Sequence, residues 1–254
     1  MDKNSRCSSR CIRVEPQDLY PSKSHLSPMK RITKPCLPQE KKYIFTEGIN
    51  YFKTGKGSIW GPGDKETVDL LKRIDIHGKW LNLAAGDEGY TSNLLEKVDS
   101  VVASDIDESA LSKLWHNMPL RYRSKLETKV FDMTKKFPFP DNSFDGVFCT
   151  GVLHLFPKKI LKAIFSEINR VLKPHGKVII DFPTDIHRTD LDGQPVSFGG
   201  EHFYTHQEAK LLLNELFGGY SLAMHDCKVP EYVTGANPPY KYSSNYVLLV
   251  ADKN

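Results

Sequence analysis

The sequence predicts an α/β fold with a doubly wound, mostly parallel sheet, because short apolar runs alternate with longer amphipathic segments. The runs that we interpret as buried strands are Lys79–Leu83, Val101–Asp105, Lys129–Met133, Gly146–Thr150 and Lys177–Phe182. Most of them are separated by segments with apolar residues at helical spacing, as in strand–helix–strand units. Two further strand-like segments, 220–229 and 245–251, have no helical pattern between them, so we expect them to pair antiparallel.

Capping residues indicate where the helices begin. Asp64 and Asp107 each precede a segment with apolar residues on one side, and each is predicted to cap that helix. Pro157 stands at the start of another amphipathic stretch. Thr205 and Glu208 have the spacing of a capping box, which predicts a further helix before the last two strands.

Composition narrows the class of protein. The chain has 254 residues, 39% of them hydrophobic, which is enough for a real core in one large domain or two small ones. No apolar run approaches the roughly 20 residues that span a bilayer, and no signal-peptide core is present. We therefore expect a soluble, cytoplasmic protein. The cysteine count of five is odd, and Cys149 and Cys227 lie in strand-like segments, which favours free thiols.

Basic charge is concentrated in residues 1–42, which contain ten Lys and Arg against four Asp and Glu. Because the whole chain has a net charge of +4, residues 43–254 carry −2 and offer no broad basic surface for nucleic acid. The 1–42 segment is rich in Ser and Pro and lacks a helical or strand period, so we predict a disordered tail. Four interpretations are open for this segment: a targeting peptide, an anion-binding arm, a stretch included because the start codon is placed too far upstream of a real start at Met29, or a tail without a role in catalysis.

The segment after the first predicted strand has the features of a ligand-binding loop. Ala84, Ala85, Gly86 and Gly89 are small residues that let the backbone approach a ligand at the carboxyl end of a strand. Asp105 ends the second predicted strand 19 residues after Gly86, close to the spacing at which a carboxylate binds ribose hydroxyls in such folds. These residues indicate a nucleotide-like cofactor.

A glycine-rich segment, Gly55–Gly63, precedes this loop and contains Trp60. We expect it to lie over the mouth of the cofactor site. The alternative interpretation is a plain surface loop leading into the helix that Asp64 begins.

Two further motifs are more specific than the loop. They are Phe139–Asp145, with the sequence FPDNSFD, and Glu167–Gly176, with the sequence EINRVLKPHG. With the loop, they make the chain resemble class I S-adenosylmethionine-dependent methyltransferases over about residues 75–220, specifically the small-molecule group that includes quinone-biosynthesis C-methyltransferases. The resemblance implies seven strands in the order 3-2-1-4-5-7-6, the seventh antiparallel, in a domain that we place at residues 43–254.

The resemblance also implies which residues bind S-adenosylmethionine. The methionine part is expected on the loop and the ribose on the end of the second strand; adenine and the methyl-bearing sulfur follow after strands three and four. In that order, the residues are Asn82, Leu83, Ala84, Ala85 and Gly86; Asp105 and Ile106; Asp132 and Met133; and Thr150 and Gly151. The chain departs from the family pattern at Asn82, Ala84 and Glu88.

Methyl transfer from a sulfonium depends mainly on alignment, and a general base is required only when the acceptor is not already deprotonated. The candidate catalytic residues are His154, Asp181, His202 and Tyr204. Each has a structural or solvated role as its alternative. We predict no metal site, because Cys7 and Cys11 lack a second pair and His202 with His206 lacks the HExxH pattern.

The segment Thr150–Val152 lacks the Asn/Asp-Pro-Pro-aromatic signature of methylation at exocyclic amines. We therefore expect a small organic acceptor with a carbon or oxygen nucleophile. A protein or RNA acceptor anchored by the basic tail is the alternative, and so is a cofactor-binding domain without catalytic activity. A nicotinamide dehydrogenase would share the loop and Asp105 but would not explain the FPDNSFD and EINRVLKPHG motifs.

Overall fold

A computed structural model describes residues 50–61, 63–87, 89–197, 202–234 and 238–254. The predicted tail and Glu88 lie outside these residues. Within the described ranges, no helix has the length and apolar content needed to cross a membrane.

Seven strands of the described chain form one sheet. They are β1 Lys79–Leu83, β2 Ser100–Asp105, β3 Leu126–Val130, β4 Phe144–Cys149, β5 Leu172–Thr189, β6 Tyr220–Val233 and β7 Lys241–Lys253. Their order is β3-β2-β1-β4-β5-β7-β6. The first five run parallel, while β7 pairs antiparallel with both β5 and β6. The predicted fold class, strand order and antiparallel seventh strand are confirmed.

Helices cover both faces of the sheet. They are α1 Lys65–Arg73, α2 Thr91–Leu95, α3 Glu108–Asn117, α4 Leu120–Arg123, α5 Lys158–Val171 and α6 His206–Leu216. Successive strand residues enter different apolar clusters: Trp80 packs with α1, α2 and α3, whereas Leu81 packs with α5 and α6. This alternation follows from the two-residue period of a strand and explains why the central strands are apolar on both faces.

The helix caps agree with the sequence except at Asp64. The Asp107 side chain accepts a hydrogen bond from the Ser109 N–H, and Thr205 with Glu208 forms the predicted capping box. Asp64 does precede α1, but its side chain makes no capping bond. It instead accepts from the Tyr90 hydroxyl at 3.3 Å, so the prediction of a side-chain cap there is wrong.

The third strand lies three residues earlier than predicted, at Leu126–Val130 rather than 129–133. As an edge strand, it pairs with β2 alone among the described strands, so its apolar pattern is weak. Its predicted end at Asp132 belongs to a turn, because the Asp132 carboxylate accepts from both the N–H and the hydroxyl of Thr134.

The two specific motifs meet in a structural clamp around Arg170. Its guanidinium donates to the carbonyl oxygens of Phe137 and Phe139 and to the carboxylates of Glu167 and Asp141. Hydrogen bonding from Arg170 lowers the pKa of Glu167. The clamp fixes α5 to the turn that leads into β4, and so positions the end of β4 at the cleft described next.

Candidate active site

A cleft of about 550 Å³ lies at the carboxyl ends of the parallel strands, where open α/β sheets bind their ligands. It is lined by the turns after β1, β2, β3, β4 and by residues of β5, β6 and β7. Nine of the predicted cofactor-binding residues lie on its wall: Ala84, Ala85, Gly86, Asp105, Ile106, Asp132, Met133, Thr150 and Gly151. The structure therefore brings most of the predicted site together.

The turn after β1 presents backbone to the cleft. Ala84 and Gly86 both have left-handed backbone, with φ of 50° and 61°. The Ala85 N–H donates to the Ser104 carbonyl at 2.8 Å and the Gly86 N–H donates to Asp105 Oδ2 at 3.0 Å. A small residue suits this turn because a larger side chain at left-handed φ is strained.

Asp105 is held in place by two backbone donors. Besides the Gly86 N–H, it receives the Asp107 N–H on Oδ1 at 2.9 Å. Burial raises the Asp105 pKa, and these two hydrogen bonds oppose that rise. Each carboxylate oxygen has a second lone pair, so Asp105 fits the task of accepting ribose hydroxyls.

The structure does not place Asn82 and Leu83 on the cleft wall. Leu83 is fully buried in the core, and the Asn82 amide donates to the Thr91 hydroxyl at 3.1 Å. Both belong to β1 itself rather than to the turn that follows it. Both residues connect the turn to the core of the domain.

A hydrogen bond joins Asp181, in the middle of β5, to Gly151, in the turn after β4. The Gly151 N–H donates to Asp181 Oδ1 at 2.5 Å, and Gly151 has a left-handed φ of 68°. Asp181 is only 3% exposed to solvent. Burial, with a smaller contribution from the charge of Asp64, raises the Asp181 pKa to about 8. This carboxyl therefore changes its protonation within the physiological pH range.

His154 also lies on the cleft wall. Its side chain is 4% exposed, and its Nδ1 atom has no hydrogen-bond partner within the described part of the chain. Burial, reinforced by the positive charge of Arg188, lowers the His154 pKa to about 3. The imidazole is therefore neutral at physiological pH, which makes it a hydrogen-bonding group and a weak base.

The other two candidate catalytic residues are not among the described residues that line the cleft. The Tyr204 hydroxyl donates to the Phe156 carbonyl at 2.8 Å, and its ring packs on Phe182. The exposed His202 ring lies against Tyr204, with 4.5 Å between ring centroids. His206 contacts Thr184 and Asp226 instead of sharing a ligand with His202.

A buried ion pair that the sequence did not reveal fastens the segment before α1. We call residues 50–61 the strap. Lys113 Nζ donates to Asp87 Oδ2 at 2.6 Å and to the Thr54 hydroxyl and Gly57 carbonyl of the strap, both at 2.7 Å. Asp87 also accepts from the Ser58 hydroxyl. Sequence patterns gave no signal for this pair, because a lysine on a surface helix is usually solvated.

The strap lies at the cleft. Its residues Tyr51, Trp60 and Gly61 are on the wall, followed by Gly63. Of the two interpretations of this segment, the placement favours a position over the mouth of the cofactor site rather than a plain surface loop.

The far side of the cleft was also missed, because the last strands are longer than predicted. β5, β6 and β7 extend beyond the carboxyl ends of the other strands and bring Arg188, Tyr232, Tyr242 and Tyr246 to the wall, together with Tyr240, which directly precedes β7. The Arg188 guanidinium lies over the Tyr242 ring, 5.6 Å from its centroid.

Comparison with known proteins agrees with this geometry. Residues 81–180 match the family described as "Methyltransferase domain". The chain is 31% identical over 146 residues to phosphoethanolamine N-methyltransferase 3 of Arabidopsis thaliana, a match that covers 56% of this chain and 28% of that protein. It is also 31% identical over 110 residues to an uncharacterized methyltransferase of Synechocystis, covering 43% of this chain and 48% of the relative.

The chain thus spans less than half the length of either curated relative. Among solved structures, an S-adenosylmethionine-dependent methyltransferase of Methanosarcina mazei is similar with a TM-score of 0.52 and 19% identity, covering 69% of this chain and 92% of that chain. The family match over residues 81–180, the strand order and the cleft together identify a methyltransferase domain with the class I S-adenosylmethionine-dependent fold.

Proposed function

We propose that this chain transfers the methyl group of S-adenosylmethionine to a small organic acceptor with a carbon or oxygen nucleophile. The observation that carries the proposal is the Gly86–Asp105 hydrogen bond, because it joins the two predicted cofactor contacts at the mouth of one cleft. Both residues lie within residues 81–180, the range that matches the methyltransferase family.

The residues of the cleft fit this cofactor. The turn Ala84–Gly86 would hold the methionine part, Asp105 the ribose, the segment 131–134 the adenine, and Thr150 with Gly151 the sulfur. We call this set of residues the cofactor half of the cleft. When bound, S-adenosylmethionine supplies a methyl group on a positively charged sulfur, and the carboxyl groups on the wall suit a cation: Asp64, Asp105, Asp107, Asp132 and Asp181.

The protein's own residues align the acceptor and remove its proton. Asp181 is the proposed proton acceptor, because a buried carboxyl with a pKa of about 8 is matched to physiological pH. It is tied to Gly151, beside the proposed position of the sulfur. His154 would hydrogen-bond the acceptor through its neutral ring. Tyr51 and Trp60 of the strap would limit the entry of water.

A small acceptor is favoured over RNA or protein by the same cleft. Residues of the strap line part of its wall, and the carboxyl groups on the wall disfavour a phosphate backbone. Anchoring of a macromolecule by residues 1–42 remains an alternative that these observations do not support.

Calorimetry tests the cofactor assignment. We expect S-adenosylmethionine to bind in the micromolar range and NAD not to bind. Asp105→Asn should weaken S-adenosylmethionine binding about tenfold or more, because hydrogen bonds to a charged group are lost. The matched control is Asp99→Asn, which changes an exposed carboxyl in the turn before the same strand. If Asp105→Asn binds as tightly as the wild type, the ribose assignment is wrong.

Transfer from an isotope-labelled methyl donor in a cell extract tests the activity and the acceptor class. We expect the label in the small-molecule fraction. Label in protein or RNA would contradict the proposed acceptor class, and binding without any transfer would indicate a cofactor-binding domain without catalytic activity.

A further inference from the structure

Charge is segregated within the cleft. Its carboxyl groups belong to Asp105 and Asp132 of the cofactor half, to Asp107 beside it, to Asp64 before α1 and to Asp181 in the middle of β5, whereas Arg188 is the single lysine or arginine among the described residues of the wall. Arg188 lies on β5 beyond Asp181, opposite Tyr242 of β7 in the strand register. Arg188 thus places a guanidinium on the described wall beyond Asp181.

A distortion of β5 lies directly before Arg188. The pairing of β5 with β7 shifts between Thr184 and His187, and Asp185 has a left-handed φ of 47°. The Asp185 carboxylate accepts from the Asn245 amide at 3.0 Å, which holds the bulge in place. Bulges commonly re-aim a side chain beside a functional site.

The surroundings of Arg188 are aromatic and polar. We call Arg188, His154 and the four tyrosines Tyr232, Tyr240, Tyr242 and Tyr246 the acceptor half of the cleft. The charge of Arg188 reaches His154, whose buried Nδ1 has no hydrogen-bond partner within the described residues. The guanidinium is half-buried on Tyr242, so an oxyanion there would interact in a partly desolvated setting.

We infer that the acceptor half binds an oxyanion group of the methyl acceptor, a carboxylate or a phosphate, with the planar guanidinium of Arg188 as its partner. The fork of donors on Arg matches both groups bidentately. The tyrosines pack against the apolar body of the acceptor, and the carboxyl groups of the cofactor half repel its charged end. This orients the acceptor with its oxyanion at Arg188 and its nucleophile toward Thr150 and Gly151. The inference rests on the proposed function in taking the ligand to be the methyl acceptor.

Binding of simple probes to the full chain saturated with S-adenosylhomocysteine tests the inference. The probes are benzoate against benzamide and phenyl phosphate against phenol, pairs that differ chiefly in charge. We expect at least one anion to bind about tenfold more tightly than its neutral partner, as expected for a charge-assisted hydrogen-bonded pair. The tighter of the two anions distinguishes carboxylate from phosphate as the preferred group.

Variants at Arg188 locate the effect. Arg188→Leu should bring the ratio of the two dissociation constants close to one, and Arg188→Lys should retain part of it. The control His187→Gln, an exposed neighbour on the same strand that is not on the wall, should keep the wild-type ratio. Equal binding of charged and neutral probes by the wild type, or an unchanged ratio in Arg188→Leu, would overturn the inference.

The outcome is separable from that of the proposed function. Arg188→Leu should bind S-adenosylmethionine as the wild type does, which also shows that the variant is folded. Failure of the wild type to bind S-adenosylmethionine would refute the proposed function. The preference for anionic probes is tested separately, because it is also measured on the protein without cofactor.

Discussion

The cofactor half of the cleft presents mainly backbone, whereas the acceptor half presents side chains. In the cofactor half, left-handed turns at Ala84, Gly86 and Gly151 are fixed by hydrogen bonds to Asp105 and Asp181. In the acceptor half, Arg188, Tyr232, Tyr242 and Tyr246 lie on the long strands β5, β6 and β7, and Tyr240 directly precedes β7. In the proposed function, the hydrogen-bonded turns position the cofactor, whereas the side chains of the long strands select the acceptor.

The largest effect is expected at Asp181, where the two halves meet. Asp181→Asn keeps the size of the side chain but removes the proposed proton acceptor, so kcat should fall about 10²- to 10⁴-fold. Because only the ionised carboxylate accepts a proton, the wild-type kcat should rise with pH and level off above a pH of about 8. Steady-state rates from pH 6 to 9, with the acceptor found by isotope labelling, measure both. A kcat within threefold of the wild type would remove Asp181 from the mechanism.

The next largest effect is expected from Lys113, which fastens the strap to the cofactor half. Lys113→Met leaves Asp87, which is fully buried, without its charge partner. The free energy of unfolding in urea should fall by about 3–5 kcal/mol, and binding of S-adenosylmethionine should weaken because Trp60 is released.

The control for Lys113 is Lys97→Met, which removes an exposed lysine and should change stability by about 0.5 kcal/mol or less. Replacing both partners, with Lys113→Met and Asp87→Leu, should recover part of the lost stability. If Lys113→Met is as stable as the control, the strap is not fastened by this pair.

A smaller effect is expected at His154, in the acceptor half. His154→Phe removes the hydrogen-bonding nitrogen while filling the same space, so the KM for the acceptor should rise about threefold to tenfold. The dissociation constant for S-adenosylmethionine should stay unchanged, which separates the two halves of the cleft. His154→Asn should restore part of the KM, because its amide can hydrogen-bond from a similar position. If the dissociation constant for S-adenosylmethionine rises as much as the KM for the acceptor, the division of the cleft into two halves is contradicted.

The smallest effect is expected at Tyr204, outside the cleft. Tyr204→Phe removes the hydrogen bond to the Phe156 carbonyl, so the free energy of unfolding should fall by about 1 kcal/mol. Since the ring packing on Phe182 is kept, kcat should be unchanged. A large loss of kcat without loss of stability would instead support a catalytic role for Tyr204.

The two halves also differ in how well the sequence predicts them. Gly86 lies in the turn after β1 and Asp105 ends β2, and because these two parallel strands are neighbours, their apolar patterns place the two residues close together. The contact of Arg188 with Tyr242 instead depends on the length of β5 and on the bulge near Asp185, which no apolar period encodes. The sequence therefore predicts the sheet and the cofactor half, but not the acceptor half.

Two other differences have similar physical causes. Lys113 and Asp87 are 26 residues apart, and only the folded chain shows that burial joins them. Asn82 belongs to the family's loop pattern, yet its side chain turns into the core toward Thr91 because it is still within β1.

The most direct test of the central claim is a crystal structure of the full chain with S-adenosylhomocysteine. We expect the ribose hydroxyls within about 3 Å of the Asp105 carboxylate, and the homocysteine part against the turn Ala84–Gly86. A nucleoside bound elsewhere, or a cleft that stays empty at saturating ligand, would contradict the assignment of this cleft as the methyl-transfer site.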